Sequence, residues 1–282
     1  MKLANHDGRA VLVITDDKGA DVHTASGGRF GPSVVGLYDE WDEFRAWAES
    51  ALPELAADVA IDPDLLGAPS PRPFQALAIG LNYEEHARET GMDVPTTLPP
   101  VFAKFQSSIT GPRGVVDLPP GGNTDWEVEV VAIIGRKAHR ISIDEAWEHV
   151  AGVTIGQDLS ERVAQFVGPA PQFGLAKSFP NFAPMGPWLV TTDELADRDD
   201  LGLGCSIDGT VVQDGRTDKL IFSIPRSIAA LSQTVTLMPG DVIFTGTPDG
   251  VGFGMTPPRY LKSGETLRTW VDGLGEMTHT FR

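Results

Sequence analysis

The chain has 282 residues, a length for one large domain or one domain with a small appendage. Its 22 Lys and Arg against 39 Asp and Glu give a formal charge of −17, a field that disfavours nucleic-acid and anionic-membrane partners. Hydrophobic residues make up 41%, enough for a sizeable core, and the single cysteine, Cys205, excludes an intrachain disulfide. No Cys/His cluster has zinc spacing, no apolar run approaches the ~20 residues of a membrane span, and the first residues lack a signal-peptide core. A cytoplasmic protein is expected.

Residues 1–70 read as a small unit of their own. Val11-Leu12-Val13-Ile14 and Ala20 to Thr24 flank Asp16-Asp17-Lys18-Gly19, a hairpin signal. Glu40 to Ala57 reads as a helix, with Trp41, Phe44 and Trp47 spaced by threes along one side. Gly67 to Pro73 reads as a linker, and 71–282 as the main body. In Gly80-Leu81-Asn82-Tyr83-Glu84-Glu85-His86-Ala87-Arg88-Glu89, His86 and Glu89 share a helix face if the segment is helical. A carboxylate beside an imidazole orients it and raises its basicity, as a general base requires. A solvated helix face reads the same way.

Glu127 and Glu129 stand two apart in a strand running from Thr124 to Gly135, so both carboxylates project from one face. Side by side near an apolar stretch they repel and are costly to desolvate, and a positive group should compensate them. Oxygen-only ligation favours a hard cation, Mg²⁺ or Mn²⁺. Asp158, at the end of a second apolar stretch, is a third candidate ligand. The other reading is the solvated face of an edge strand.

Further along, Asp144 to Val150 reads as a helix capped by Ser142 or Asp144. Lys177, set among Leu, Phe and Pro, is either a snorkelling surface lysine or a cation with a fixed partner. Lys104 invites the same two readings. Ile207 to Val212 is a hairpin with an Asp-Gly turn, Ser223 to Leu231 a helix, Pro239-Gly240-Asp241 a type II turn, and Val242-Ile243-Phe244 a buried strand. Gly246 to Gly252 is either a backbone anion cradle or an ordinary loop, and fits neither a P-loop nor a dinucleotide fingerprint. Without regular β-α alternation, a β-rich α+β body is expected.

In their order along the chain, these segments resemble the fumarylacetoacetate hydrolase family. The resemblance rests on Gly80-Leu81-Asn82-Tyr83 leading to His86 and Glu89, and on Asp125-Trp126-Glu127-Val128-Glu129. It rests equally on Asp158-Leu159-Ser160-Glu161-Arg162 with Gln165, Lys177-Ser178-Phe179 running on to Gly186-Pro187-Trp188-Leu189-Val190-Thr191, and Pro239 to Pro248. It implies a mixed β-sandwich roll, assembled as a homodimer, with Glu127, Glu129 and Asp158 holding Mg²⁺ or Mn²⁺. It places His86 and Glu89 on a lid as the water-activating pair. Lys177 is implied to act on developing charge, with Gln165, Thr247, Arg162, Tyr83 and Lys104 near a small anionic keto-acid substrate. The activity implied is hydrolysis of a C–C bond in a 2,4-diketo acid (an acylpyruvate). Oxaloacetate decarboxylation, or isomerisation or hydration of a 2-hydroxy-dienoate, are alternatives on the same scaffold, and a non-catalytic metal-binding scaffold is a third class. Two positions depart from the common pattern: Gln157 replaces a frequent Asn, and Ser160-Glu161-Arg162-Val163 replaces Ser-Ala-Arg-Asp.

Overall fold

The computed structural model describes all 282 residues. The chain opens with three antiparallel strands, β1 (Lys2–His6), β2 (Arg9–Thr15) and β3 (Lys18–Asp21). The expected hairpin forms, but its second strand stops at Asp21. The Asp21 side chain there accepts the Thr24 N–H at 2.9 Å and caps a one-turn helix. Two helices follow, α1 (Val34–Asp39) and α2 (Trp41–Ala51). α2 buries Trp41, Phe44 and Ala48 on one stripe and carries Asp42 and Glu43 in its first turn, where the helix dipole favours them. It ends earlier than the sequence pattern predicts, because Pro53 lacks a donor and the last turn tightens into a 3₁₀ turn over Leu52–Glu54.

The body contributes β4 (Ala76–Ile79), α3 (Glu84–Glu89), β5 (Val101–Ala103), β6 (Arg113–Val116), β7 (Val128–Ile134) and β8 (Val150–Gln157). Two short helices, α4 (Arg162–Gln165) and α5 (Phe173–Ala176), precede β9 (Ala183–Val190), β10 (Gly202–Ile207) and β11 (Thr210–Arg216). The chain ends with α6 (Ile224–Ser232), β12 (Val242–Phe244), β13 (Thr266–Val271) and β14 (Gly275–Phe281). The large mixed sheet runs β3-β2-β1-β9-β8-β7-β12-β4-β5, and the smaller one β11-β10-β13-β14-β6. The expected β-rich α+β class is the observed one.

β7 shows why its sequence is almost continuously apolar. Val128, Val130, Ala132 and Ile134 join the core shared with the smaller sheet, while Val131 and Ile133 join a second core under α1 and α2. Both faces are buried, so both carry apolar side chains. Residues 1–70, which composition sets apart, are joined to the body in two ways. β1 pairs with β9 (Lys2 opposite Val190), and the second core mixes Leu3, Leu12 and Phe44 with Ala78, Val131 and Phe244.

Other turns follow the sequence. Asp208 and Gly209 take φ of 48° and 83° between β10 and β11, and Gly240 takes 85° while the Asp241 N–H closes the turn on Met238 O at 2.9 Å. The helix expected over 144–150 is only a 3₁₀ turn, Ala146–His149. Ser142 does not cap it. Its N–H and hydroxyl both donate to Glu145 Oε2, at 2.8 and 2.7 Å. No helix is long and apolar enough to cross a membrane.

Candidate metal and active site

The adjacent ends of β7 and β8 build the site. Val128 lies opposite Gln157, so Glu127 and Asp158 fall together one step beyond, where the Asp158 N–H donates to Glu127 O at 2.9 Å. Glu129 shares the face of Glu127 by strand alternation. One carboxylate oxygen from each of Glu127, Glu129 and Asp158 lies within 4.8 Å of the others, and all three residues are buried. The solvated-face reading of this strand is therefore excluded.

Cations surround the triad. Lys177 Nζ donates to Glu127 Oε2 and Asp158 Oδ2, both at 2.6 Å. Lys104 Nζ donates to Asp158 Oδ1 and to the Lys177 carbonyl. Arg162 Nη2 reaches Glu127 Oε1 at 2.7 Å and Asp125 Oδ2 at 2.7 Å. Burial alone would raise the Glu127 carboxyl, but Lys177, Arg162 and His86 together hold it below the usual range. Glu129 has no ammonium or guanidinium partner. Its Oε2 accepts the Gly246 N–H at 2.7 Å, and burial, then Asp158 and Glu127, push its carboxyl well above the usual range. Gly246 can serve because it has φ of 105° and a Cβ there would meet Asn82 Cβ at 2.6 Å. The oxygen-only donor set and the uncompensated charge on Glu129 fit a hard divalent cation held by Glu127, Glu129 and Asp158.

α3 brings the imidazole over the same place. His86 Nδ1 lies 2.8 Å from Glu89 Oε1, and Glu89 Oε2 accepts the Gly250 N–H at 2.9 Å. With the carboxylate on Nδ1–H, Nε2 is left as an acceptor. Arg88 pairs with Glu84 and Glu85 on the solvent side of the helix, while His86 and Ala87 are buried. One cavity of about 40 Å³ is lined by His86, Glu127, Glu129, Arg162, Gln165, Lys177 and Thr247, among others.

Two residues expected at the substrate lie elsewhere. Lys104 is buried behind the triad between Asp158 and the Lys177 carbonyl. Burial and the adjacent Lys177 lower its ammonium despite Asp158. Tyr83 is buried with no partner for its hydroxyl, and burial, with Glu129 and Asp218, raises that phenol. Neither lines the cavity. Arg162 does line it, but its guanidinium is committed to Asp125, Glu127 and Gln165.

Residues 75–282 match the family described as fumarylacetoacetate (FAA) hydrolase C-terminal. The chain belongs to the fumarylacetoacetate hydrolase family. A solved structure of a provisionally assigned HpcE protein from Mycobacterium smegmatis is 54% identical with a TM-score of 0.93, covering 100% of this chain and 99% of its own. A provisionally assigned 2-hydroxyhepta-2,4-diene-1,7-dioate isomerase from Mycobacterium abscessus is 30% identical with a TM-score of 0.83, covering 100% of this chain and 97% of its own. Maleylpyruvate hydrolase from Sphingobium sp. SYK-6, solved with manganese (II) and pyruvate, is 30% identical with a TM-score of 0.79, covering 100% of this chain and 98% of its own.

The two departures from the common family pattern have structural roles. Gln157 Oε1 accepts the Glu127 N–H at 2.9 Å, extending the strand ladder by one side-chain rung, and its Nε2 donates to Thr269 Oγ1 at 3.0 Å. Glu161 caps α4 by accepting the Val163 and Ala164 N–H groups at 3.1 and 2.6 Å. Three supporting residues escaped the sequence reading of site roles. Asp125 receives Arg162 and the Gly252 N–H at 2.7 Å, and its position two before Glu127 was a usable signal. Asn82 ties the Phe222 and Thr245 backbones together through its amide, at 2.9 and 2.7 Å. Gln213, from the smaller sheet, donates to Thr247 Oγ1 at 2.8 Å and accepts the Val128 N–H at 3.0 Å. No local pattern marks it.

Proposed function

We propose that the protein is a divalent-metal-dependent hydrolase that cleaves the C3–C4 bond of 2,4-diketo acids. The observation that supports this most is the placement of the His86–Glu89 pair and the Glu127/Glu129/Asp158 triad on one cavity. A scaffold protein needs a metal but no oriented imidazole base beside it. Glu127, Glu129 and Asp158 would hold Mg²⁺ or Mn²⁺, which would supply Lewis acidity toward the keto-acid end of the substrate.

The chain's own groups do the rest. His86, fixed through Nδ1 by Glu89, takes a proton from water at Nε2. The water oxygen adds to C4, and collapse of the tetrahedral centre breaks C3–C4. The electron pair passes to C3 as a pyruvate enolate. Lys177, on the same cavity, offers an ammonium to that charge. The proton held by His86 passes to C3, giving pyruvate and a carboxylic acid. Thr247 Oγ1 is oriented by Gln213, and Gln165 Oε1 by Arg162 at 2.8 Å, so the Thr247 hydroxyl proton and the Gln165 amide nitrogen remain for the substrate. The proposed ligand is a small anionic keto acid, and the proposed assembly is a homodimer.

The kinship with the M. abscessus protein supports isomerisation as the second reading, since proton transfer to and from an enolate needs the same base and cation. Release of pyruvate separates the two. Acylpyruvates, a 2-hydroxy-diene-dioate and oxaloacetate are assayed with added Mg²⁺ or Mn²⁺, on wild type and His86→Ala. Acylpyruvate hydrolysis is expected to fall by about 10²–10⁴ in the variant, while decarboxylation of oxaloacetate persists because the triad is intact. Hydrolysis at a near wild-type rate in His86→Ala would remove the general-base assignment.

A further inference from the structure

The cavity over the carboxylates has two kinds of wall. One is charged. The other is made by Met92, Phe166, Phe173 and Phe253. Phe166 stacks on Phe253 at 5.4 Å, and Phe173 on Phe102 at 5.4 Å, so these rings brace one another. Besides His86, which is held by Glu89, the only cations on the cavity are Arg162 and Lys177. Arg162 is committed to Asp125, Glu127 and Gln165, while Lys177 gives two N–H donors to Glu127 and Asp158 and its third, in the reading above, to the enolate at the pyruvate end. Arg88, on the same helix as His86, is paired with Glu84 and Glu85 and half-exposed.

We infer that the acyl end of the substrate is uncharged and apolar, so that the site takes 2,4-dioxo monoacids and discriminates against those ending in a second carboxylate. This rests on the hydrolase reading above. A second carboxylate would meet aromatic rings with no free cation, in a cavity that already holds the acidic triad. An unpaired charge there loses its hydration without replacement. Alkyl or aryl carbon at the same place gains contact with the rings.

A matched pair of substrates tests this. Water cleaves 2,4-dioxoheptanoate into pyruvate and butyrate, and 2,4-dioxoheptanedioate into pyruvate and succinate, with C3 protonated in each case. The expected kcat/KM ratio favours the monoacid by on the order of 100-fold. Binding is read independently by calorimetry on the Mn²⁺-loaded protein. The ligands are 2-oxoheptanoate and 2-oxoheptanedioate, which lack the C4 carbonyl and cannot be cleaved. The monoacid is expected to bind at least about tenfold tighter. Equal binding, tighter binding of the diacid, or no binding of either overturns the inference. Tighter monoacid binding with no pyruvate from either dioxo acid instead leaves the inference standing and defeats the hydrolase reading. Phe166→Arg places a cation on the apolar wall at a side chain that is 40% exposed, where a larger polar group can be accommodated. It should narrow the mono-to-diacid binding ratio by about tenfold or more. An unchanged ratio in a folded variant removes Phe166 from the specificity wall and overturns the inference.

Discussion

Lys177 and Glu129 sit on the same cavity with opposite electrostatic debts. Lys177 balances two carboxylates through 2.6 Å contacts, and Asp158 and Glu127 hold its ammonium above the ordinary lysine value although burial opposes them. Removing it in Lys177→Met leaves buried charge uncompensated, a loss of about 3–5 kcal/mol. The metal-free variant should melt lower than wild type, and Mn²⁺ should restore more of its Tm than it adds to wild type. Its kcat should fall by about 10²–10³ if the ammonium meets enolate charge. Glu129→Gln has the reverse sign. The native carboxyl is raised by burial and by two like charges, so its ionised form costs stability near neutral pH. Metal-free Glu129→Gln should melt at or above wild type while binding Mn²⁺ more weakly by titration calorimetry. A metal-free Tm below wild type would show that Glu129 contributes to the fold and not only to the cation site.

At the scale of elements, what could be read from sequence was what depends on near neighbours. The His86/Glu89 contact follows from helical spacing, the Glu127/Glu129 face from strand alternation, and the Asp208-Gly209 and Pro239-Gly240 turns from local backbone preference. Where a side chain chose another partner, the local pattern failed. Ser142 donates to Glu145 in place of capping a helix, Asp21 ends its strand by capping the next turn, and Gln213 reaches the site from another sheet. β14 carries a further consequence of long-range packing that no pattern marks. His279 is buried with Nε2 3.0 Å from Gly111 O, and burial lowers its pKa from 6.5 to about 4 despite that bond. Its neutral form is thus built into the fold. Its contribution is complete above the unfolded pKa and is lost as pH falls from about 6.5 toward 4, a change of about 3 kcal/mol. His279→Gln retains an amide donor but does not titrate there. Between pH 7 and 4.5 its Tm should fall less than that of wild type, and equal losses would assign acid instability to other groups.

On the scale of the whole molecule, composition near Gly67–Pro73 marks a break that the sheet does not respect. Gly and Pro report local backbone freedom and say nothing of what the flanking segments pair with. Here Ser70 donates to Gly240 O at 2.6 Å, Asn5 to Ala68 O at 2.9 Å, and the Met1 ammonium to Glu194 at 2.8 Å. β1 covers the edge of β9, itself hydrogen-bonded to β8, and β8 ends at Gln157 beside Asp158. Of the two strands that build the candidate metal site, β8 therefore lies two strands from β1 and β7 three. Deleting residues 1–70 would uncover the β9 edge and expose the faces of Ala78, Val131, Leu189 and Phe244 now packed under Phe30, Leu37 and Phe44. An open edge next to a large apolar face is an aggregation site. The intact chain should unfold in a single calorimetric transition whose calorimetric and van't Hoff enthalpies agree. The 71–282 fragment should be insoluble or should lack a cooperative transition. Two resolved transitions in the intact chain, or a soluble fragment that binds Mn²⁺ as the intact chain does, would establish instead that the N-terminal segment is an independent unit docked on a self-sufficient catalytic body.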